Sequence, residues 1–277
     1  MKRYIGAICV MVVSWAQADI ILLNDSFTDL DRSNQNLPSS ASWFSGGDAA
    51  DITAASGALV MSNISGGTRG ALAYFTPSGS PQALAIGDSL SLSATVTIPN
   101  SSGDSGRFQF WAYDSGGSRT VSDNQSFNNS AYNGYVGYGI LNDPRGNHPS
   151  RYSINERDST ANNLILGSTV LDTSTAAVTM TGITVNVSLE ITRTGTDTMS
   201  LLGSINGTEI TRQDVAGAIT QFDTMAILSV NDSLAGTLTV DQVEVIYTAI
   251  PEPGLWSLLV SGAILLVAVR RAFPERA

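Results

Sequence analysis

Apolar and polar residues alternate with a period of two along much of the chain. In Ser89 to Ile98 every second residue is apolar and Ser or Thr fill the positions between, and Ile183 to Thr194 repeats the pattern. Because successive side chains of a strand point to opposite faces, each stretch predicts a β-strand with one buried face. The residues predicted to face inward are Leu90, Leu92, Ala94, Val96 and Ile98 in the first stretch and Val185, Val187, Leu189 and Ile191 in the second.

The same reasoning predicts about a dozen short strands in total. They include Ile20 to Leu23, Gly70 to Phe75, Arg107 to Tyr113, Tyr135 to Leu141, Thr224 to Val230 and Thr237 to Tyr247. Asn206-Gly207 follows the run Met199 to Ile205 and predicts a tight hairpin. Only Asp214 to Gln221 indicates a short helix. Many short strands between polar turns predict an all-β sandwich or barrel.

The N-terminus has a different composition. Lys2 and Arg3 precede the apolar run Tyr4 to Trp15, and the sequence Ala16-Gln17-Ala18 follows. A basic start, an apolar core and an Ala-x-Ala site are typical of a secretory signal peptide. We therefore expect export, with cleavage after Ala18 and a mature chain that begins at Asp19.

The C-terminus carries three features in sequence. Pro251-Glu252-Pro253 is followed by an uncharged apolar run, Gly254 to Val269, and then by Arg270 and Arg271. The run has 16 residues, which is short against the roughly 20 that a membrane-spanning helix needs. The arginines after it predict a transmembrane helix at 254–269 with its C-terminal end in the cytoplasm. On the residues alone, an ordinary membrane anchor and a processed signal both fit.

The order of these three features resembles a PEP-CTERM sorting signal. The resemblance implies that an exosortase, a membrane-embedded cysteine transpeptidase, recognises Pro251, Glu252 and Pro253 and removes the helix. It also implies an exported protein of a Gram-negative bacterium, held in the membrane until processing and located afterwards at the cell surface or in the extracellular matrix. The expected organisation is a signal peptide at 1–18, an extracellular body at 19–249 and a sorting signal at 250–277.

Composition limits what the body can bind. From Asp19 to Ile250 there are 22 acidic residues against nine arginines and no lysine, which gives a net charge of −13. Such a charge disfavours nucleic acid and anionic lipid as partners and is compatible with cations or neutral sugars. The only cysteine, Cys9, lies in the predicted leader, so the exported body is expected to lack disulfides and thiol chemistry.

Two short segments of the body resemble known domains. Asp25-Ser26-Phe27-Thr28-Asp29 is similar to the start of body domains common in proteins with this sorting signal. Leu238 to Val243, with its strand to Tyr247, is similar to the last strand of concanavalin-like (laminin-G-like) jelly rolls. This resemblance implies a two-sheet antiparallel jelly-roll sandwich whose first and last strands pair in one sheet.

Four aspartates form a candidate metal site. Asp25, Asp29 and Asp31 are close in sequence, and Asp241 would join them if the first and last strands meet. Carboxylate and carbonyl oxygens are the ligands that Ca²⁺ prefers, so a structural calcium ion is one hypothesis. The spacing is not that of an EF-hand, and the alternative is that these residues form turns by bonding their own backbone.

One predicted strand carries a candidate sugar-binding surface. In Arg107 to Tyr113 the residues Gln109, Trp111 and Tyr113, with Arg107, share the face opposite to Phe108, Phe110 and Ala112. Aromatic rings that stack on sugar faces, beside an amide that bonds hydroxyl groups, would suit extracellular polysaccharide. The alternative is that Trp111 and Tyr113 pack beneath a loop, such as Tyr132 to Tyr138.

Catalytic patterns are sparse in this sequence. Glu156-Arg157-Asp158 begins the Glu-x-Asp-x-Glu pattern of jelly-roll glucanases, but Ser159 and Thr160 follow it, so the second glutamate is missing. His148 lies in a polar loop without metal partners, and the nearby Arg151-Tyr152 is the closest approach to a lyase site. We therefore expect a protein without catalytic residues or an organic cofactor.

Two functions remain. The favoured one is an exported, non-catalytic envelope or matrix protein, sorted through its C-terminal motif, that binds glycan or another surface component. The alternative is a glycan-active enzyme, a hydrolase or lyase, whose site these motifs do not reveal. Acidic residues with raised pKa in one concave cleft would favour the enzyme, whereas an aromatic and polar groove would favour the binding protein.

Overall fold

A computed structural model describes the body of the chain. It covers residues 18–62, 64, 67–100, 107–127, 129–142, 150–158, 164, 167–214, 217–230 and 236–250. The predicted leader up to Gln17, His148, the motif Pro251-Glu252-Pro253 and all residues beyond it lie outside these ranges. Within the ranges, no helix is long and apolar enough to cross a membrane.

Short strands account for most of the described residues, as the period-two pattern predicts. In chain order the strands are β1 (Ala18–Asp25), β2 (Trp43–Ser45), β3 (Ile52–Ala55), β4 (Ala58–Met61), β5 (Arg69–Tyr74), β6 (Gln82–Ala83), β7 (Ser89–Ile98), β8 (Arg107–Asp114), β9 (Val136–Asn142), β10 (Tyr152–Arg157), β11 (Ser168–Thr173), β12 (Ile183–Gly195), β13 (Thr198–Ile205), β14 (Thr208–Asp214), β15 (Gln221–Phe222), β16 (Thr224–Val230) and β17 (Leu238–Ala249). Among the described residues, 3₁₀ turns at Ala49–Asp51 and Ser130–Tyr132 interrupt the loops.

The strands form two large antiparallel sheets and one small one. The eight-stranded sheet has the order β14-β13-β12-β7-β17-β4-β3, with β1 also paired to β17. The seven-stranded sheet has the order β11-β10-β9-β8-β16-β5-β2, and β15 pairs with β6 separately. The first and last strands therefore meet in one sheet, as the jelly-roll resemblance implied. The body is an all-β sandwich, and Asp19–Thr248 forms one compact unit.

The main core lies between the two large sheets. The inner faces of β7 and β8 supply alternate residues to a single buried cluster, Leu90, Leu92, Ala94, Val96 and Ile98 from one and Phe108, Phe110 and Ala112 from the other. The four inward residues predicted for β12 are buried in the same cluster. Burial of a Leu, Ile, Val or Phe side chain contributes about 1.5–3 kcal/mol, so this alternation is the chief determinant of the fold.

The turn between β13 and β14 confirms one local prediction, and the next segment corrects another. Asn206 and Gly207 both have positive φ, 48° and 76°, which is the conformation that a two-residue type I′ hairpin requires. The short helix indicated at Asp214 to Gln221 is wrong for its described residues. Asp214 ends β14, residues 217–220 are not helical, and Gln221 begins β15. Tertiary contacts replace the helix here, because Asp214 accepts from the Tyr138 hydroxyl and Phe222 packs in the main core.

Candidate functional site

The outer face of the seven-stranded sheet does not display the expected sugar platform. Gln109 and Tyr113 have no exposed surface and Trp111 retains 1%. The Trp111 indole Nε1 donates to Gln109 Oε1 at 2.9 Å, and the Trp111 and Tyr113 rings stack with centroids 5.1 Å apart. The assignment of these three residues to glycan binding is therefore wrong, because a loop covers them.

The covering loop builds a second hydrophobic core on that face. Tyr132 and Tyr135 pack edge to face, 5.5 Å apart, and Tyr135 also contacts the Tyr113 ring at 6.0 Å. Leu72, Phe127 and Leu164 lie in the same buried cluster. The alternative that the loop near Tyr132 covers the strand is confirmed, except that Tyr138 lies in the main core.

An ion pair fixes this loop to the sheet. Arg119 Nη2 lies 2.8 Å from Asp223 Oδ2, and the Arg119 guanidinium sits 4.5 Å from the centre of the Tyr74 ring. The backbone N–H of Thr120 donates to the Tyr74 hydroxyl at 2.7 Å. Because these groups have partners on both the loop and the sheet, they anchor the cover and are not available for a ligand.

The aspartates predicted to bind calcium form turns instead. Asp25 is buried, and its carboxylate accepts from the N–H of Phe27 at 2.9 Å, the N–H of Ala41 at 3.2 Å and the indole of Trp43 at 2.8 Å. Asp29 accepts from the backbone of Asp31 at 3.1 Å. The carboxylate of Asp25 is thus already satisfied by protein donors.

The other two aspartates do not complete a metal site. Asp31 accepts from both the backbone and the hydroxyl of Ser33 at 2.7 and 2.6 Å, which together lower its pKa. Asp241 is exposed at a β-bulge of β17. No group of three or more His, Cys, Asp or Glu side chains in the described ranges is placed to hold a metal ion. The residues present do not fit the expected calcium ion.

A groove lies on the outer face of the same sheet, beside the covered aromatic residues. It has a volume of about 290 Å³ and crosses β8 to β11. Its described lining residues are Arg107, Leu141, Asn142, Arg151, Ser153, Asn155, Ser168 and Val170. None of these side chains is acidic or aromatic, so the groove offers guanidinium, amide and hydroxyl groups with two aliphatic side chains.

Strand register explains why these residues meet. Ser153 of β10 pairs with Leu141 of β9, and Asn155 pairs with Val170 of β11. These four side chains point outward, because Ile154 between Ser153 and Asn155 points into the main core. Polar and aliphatic residues from three strands therefore share one continuous surface.

Hydrogen bonds hold the polar residues of the groove in place. The Ser153 hydroxyl donates to Asn155 Oδ1 at 2.6 Å, and Asn155 Nδ2 donates to Ser168 Oγ at 3.3 Å. Asn155 is only 2% exposed. The buried amide therefore fixes the hydroxyls of Ser153 and Ser168 in advance, so a ligand that binds these hydroxyls costs little side-chain entropy of the protein.

Sequence reasoning missed most of this groove. It placed Arg107 on the outward face of its strand and noted Arg151 in another context, but it did not single out Ser153, Asn155 or Ser168. The alternation in Tyr152–Arg157 could have placed Ser153 and Asn155 on a polar face, but only the pairing of β8 to β11 brings Arg107 beside them.

A separate acidic cluster lies at the inner edge of the sheets. Burial raises the pKa of Glu156 to about 7, with further contributions from the negative charges of Asp214 and Asp158. The Tyr138 hydroxyl donates to Asp214 Oδ2 at 2.6 Å and accepts from the N–H of Ile219 at 3.0 Å. Glu156 and Asp214 do not line the groove, and Ser159 and Thr160 lie outside the described residues.

Comparison with solved structures gives the fold a known counterpart. The Emp46p carbohydrate recognition domain in its metal-free form has a TM-score of 0.54 and 14% identity over 81% of this chain and 94% of that domain. Its potassium-bound form gives a TM-score of 0.52 and 14% identity over 81% of this chain and 95% of that domain. With identity this low, the likeness establishes the sandwich fold alone.

Comparison with other solved structures, with protein-family models and with curated proteins does not assign a function to this chain. Porphyranase B from Zobellia galactanivorans aligns with a TM-score of 0.48 and 9% identity over 83% of this chain and 93% of its own, too loosely to favour an enzyme. No protein-family model and no curated protein matches the sequence.

Proposed function

We propose that the body is a non-catalytic glycan-binding domain and that the groove across β8 to β11 is its binding site. The observation that carries the proposal is the fixed row Ser153, Asn155 and Ser168 on an outer sheet face. A sugar presents many hydroxyls that both donate and accept hydrogen bonds, and amide and hydroxyl side chains complement both roles. The name of the Emp46p carbohydrate recognition domain supports the same ligand class.

The groove also has the dimensions and mixed polarity that saccharide binding requires. A volume of about 290 Å³ lies just below the range of ordinary ligand pockets, about 300 to 1,000 Å³, and suits a short segment of a glycan. Leu141 and Val170 provide aliphatic contact for the C–H surface of a sugar ring. Val170 is 56% exposed, so covering it with a ligand removes apolar surface from water.

The proposal includes an exported location. The predicted signal peptide would deliver the body across the membrane, and the predicted helix at 254–269 would hold it there until an exosortase recognises Pro251-Glu252-Pro253 and removes that helix. The mature protein would then act at the cell surface or in the extracellular polysaccharide, where glycan is abundant. Processing and binding are independent parts of the proposal, because the groove lies within Asp19–Thr248 and the motif lies outside it.

The enzyme alternative rests on Glu156, whose pKa is raised to about 7. A carboxylic acid with that pKa suits general acid catalysis at neutral pH. However, Glu156 lies on the opposite face of β10 from Ser153 and Asn155, so it would not reach a glycan held in the groove. The geometry therefore favours binding without hydrolysis.

The test is binding of the purified full chain, in detergent, to immobilised polysaccharides with neutral and acidic backbones. We expect saturable binding to at least one of them. Replacement of Ser153 by Ala removes one neutral hydrogen bond and should weaken that binding about fivefold. Asn155→Ala should weaken it further, because Asn155 organises Ser153 and Ser168.

Ser91→Ala is the matched control, since Ser91 lies half-buried on the outer face of β7 in the other sheet. It should leave binding unchanged, and thermal melting of all three variants would verify that they fold. Absence of binding to every polysaccharide would overturn the proposed function. If binding were unchanged in both groove variants, the glycan would bind elsewhere, and the groove would not be the binding site.

A further inference from the structure

The two arginines of the groove differ in their surroundings from three arginines elsewhere in the body. Arg32, Arg69 and Arg119 each form an ion pair with an aspartate, with N···O distances of 2.8, 2.6 and 2.8 Å. Arg107 and Arg151 are exposed and form no ion pair within the described part of the chain. Two cations without a carboxylate partner thus line one groove.

This arrangement is unusual because the body carries 22 acidic residues against nine arginines. Although acidic residues outnumber arginines in the body, no described lining residue of the groove is acidic. Charges separated by more than about 8 Å are largely screened at physiological salt. An anionic group in contact with Arg107 or Arg151 would therefore experience their charge more strongly than that of distant aspartates.

The rest of the groove argues against a purely neutral ligand. Neutral sugars are commonly held by stacking on aromatic rings, but Trp111 and Tyr113 are buried beneath the loop and no described lining residue is aromatic. With stacking unavailable, charge-assisted hydrogen bonds from the guanidinium groups are the strongest interactions that the groove can offer.

We propose that the groove selects anionic glycans, with Arg107 and Arg151 binding the carboxylate or sulfate groups and Ser153 and Ser168, held in place by Asn155, binding the hydroxyls. The inference rests on the proposed function and names its ligand class. Arginine offers a planar pair of N–H donors that matches two oxygens of either anion. The net charge of the body was compatible with cations or neutral sugars, but the local charge of the groove outweighs the net charge at contact distance.

Affinity measurements on the full chain with three polysaccharides test this inference. Polygalacturonate carries carboxylates, dextran sulfate carries sulfate esters and dextran carries no charge. We expect binding to at least one anionic polymer to be at least ten times tighter than binding to dextran, and to weaken as salt is raised. The tighter of the two anionic polymers identifies which anion the groove prefers.

Arg107→Gln and Arg151→Gln should each weaken binding to the preferred anionic polymer by about tenfold or more, because each removes charged hydrogen bonds. Arg212→Gln is the matched control. Arg212 is also exposed and without an ion pair among the described residues, but it lies on β14 of the other sheet and does not line the groove.

The outcomes separate the two proposals. Equal losses from all three arginine variants would mean non-specific attraction and would overturn the inference. Binding to dextran as tight as to the anionic polymers, and unaffected by the arginine variants, would also overturn it while leaving glycan binding intact. Failure to bind any polysaccharide would overturn the proposed function itself.

Discussion

At the scale of single residues, Glu156 has a carboxyl group whose pKa is raised to about 7. Burial is the main cause, and the charges of Asp214 and Asp158 add to it. The folded protein therefore binds a proton at Glu156 over a pH range in which the unfolded chain has released it. By linkage, this group makes folding less favourable as the pH rises.

We expect the free energy of unfolding to contain a component that falls between about pH 4.5 and pH 7, from the ordinary pKa of glutamate to the raised value of about 7. Glu156→Gln removes this component, because an amide carries no charge at any pH. The variant should be more stable than the parent at pH 8 by about 1 kcal/mol, a figure reduced for the partial exposure of the side chain. At pH 4 this advantage should disappear.

Urea unfolding at pH 4 and pH 8 measures the difference. Glu190→Gln serves as the control for loss of one negative charge, because Glu190 lies on β12 of the other sheet. If Glu156→Gln changed stability equally at both pH values, its effect would come from packing and the assignment of the raised pKa would be contradicted.

At the scale of elements, β9 is shaped to receive the side chains of β8. Gly137 and Gly139 occupy outward positions of β9, opposite Tyr113 and Trp111 in the register. A Cβ at Gly139 would overlap the Trp111 ring, and one at Gly137 would overlap the carbonyl of Ala112. The indole thus lies flat over a strand that has no side chain at that point.

Gly139→Ala should therefore displace Trp111 and loosen the loop above it. We expect a loss of about 1–3 kcal/mol in the free energy of unfolding, the usual range for overpacking. Tryptophan emission should shift to longer wavelength as the indole gains contact with water, and both effects are measurable on the same sample.

Gly195→Ala is the matched control for this strand substitution. At Gly195 the nearest atom to an added Cβ is Thr198 Oγ1 at 3.2 Å, a hydroxyl that can rotate away. Because Gly→Ala lowers the entropy of the unfolded chain, Gly195→Ala should not lose stability. A loss at Gly195 as large as at Gly139 would show that any methyl group added to a strand glycine is costly here, whether or not it meets an indole.

The same elements show what could be predicted from the sequence. The alternation in β7, β8 and β12 gives both the strands and their buried faces, because it is local and follows from the pleat of a strand. The direction of Trp111 was also predictable. Its burial was not, since that depends on how the segment between β8 and β9 folds back over the sheet.

The groove was harder to predict from the sequence, because it too depends on tertiary structure. Arg107 begins β8, Ser153 lies in β10 and Ser168 begins β11, so they become neighbours only through strand pairing. The predicted calcium site shows the opposite error, because residues that are close in sequence do not form a common site. Asp25, Asp29 and Asp31 are close in sequence, yet each uses its oxygens on nearby backbone N–H groups, which proximity in sequence cannot reveal.

At the scale of the whole molecule, the two ends of the body lie side by side. β1 pairs with β17 in the eight-stranded sheet, and the Thr248 hydroxyl donates to Asp19 Oδ1 at 2.7 Å. A mature chain from Asp19 to about residue 250 would keep both paired strands. Removal of the predicted leader and of the proposed sorting segment is therefore compatible with the folded body.

The sorting proposal predicts the mass of the mature protein. In the native cell, intact-mass measurement of envelope and medium fractions should find a species that begins at Asp19 and ends between residues 250 and 253. Replacement of Pro251, Glu252 and Pro253 by alanine should leave export intact, because the leader is separate, but trap an unprocessed membrane form that still carries Arg270 and Arg271. Detection of those two arginines in the mature unmodified protein would instead establish a simple membrane anchor, and glycan binding would then take place at the membrane surface.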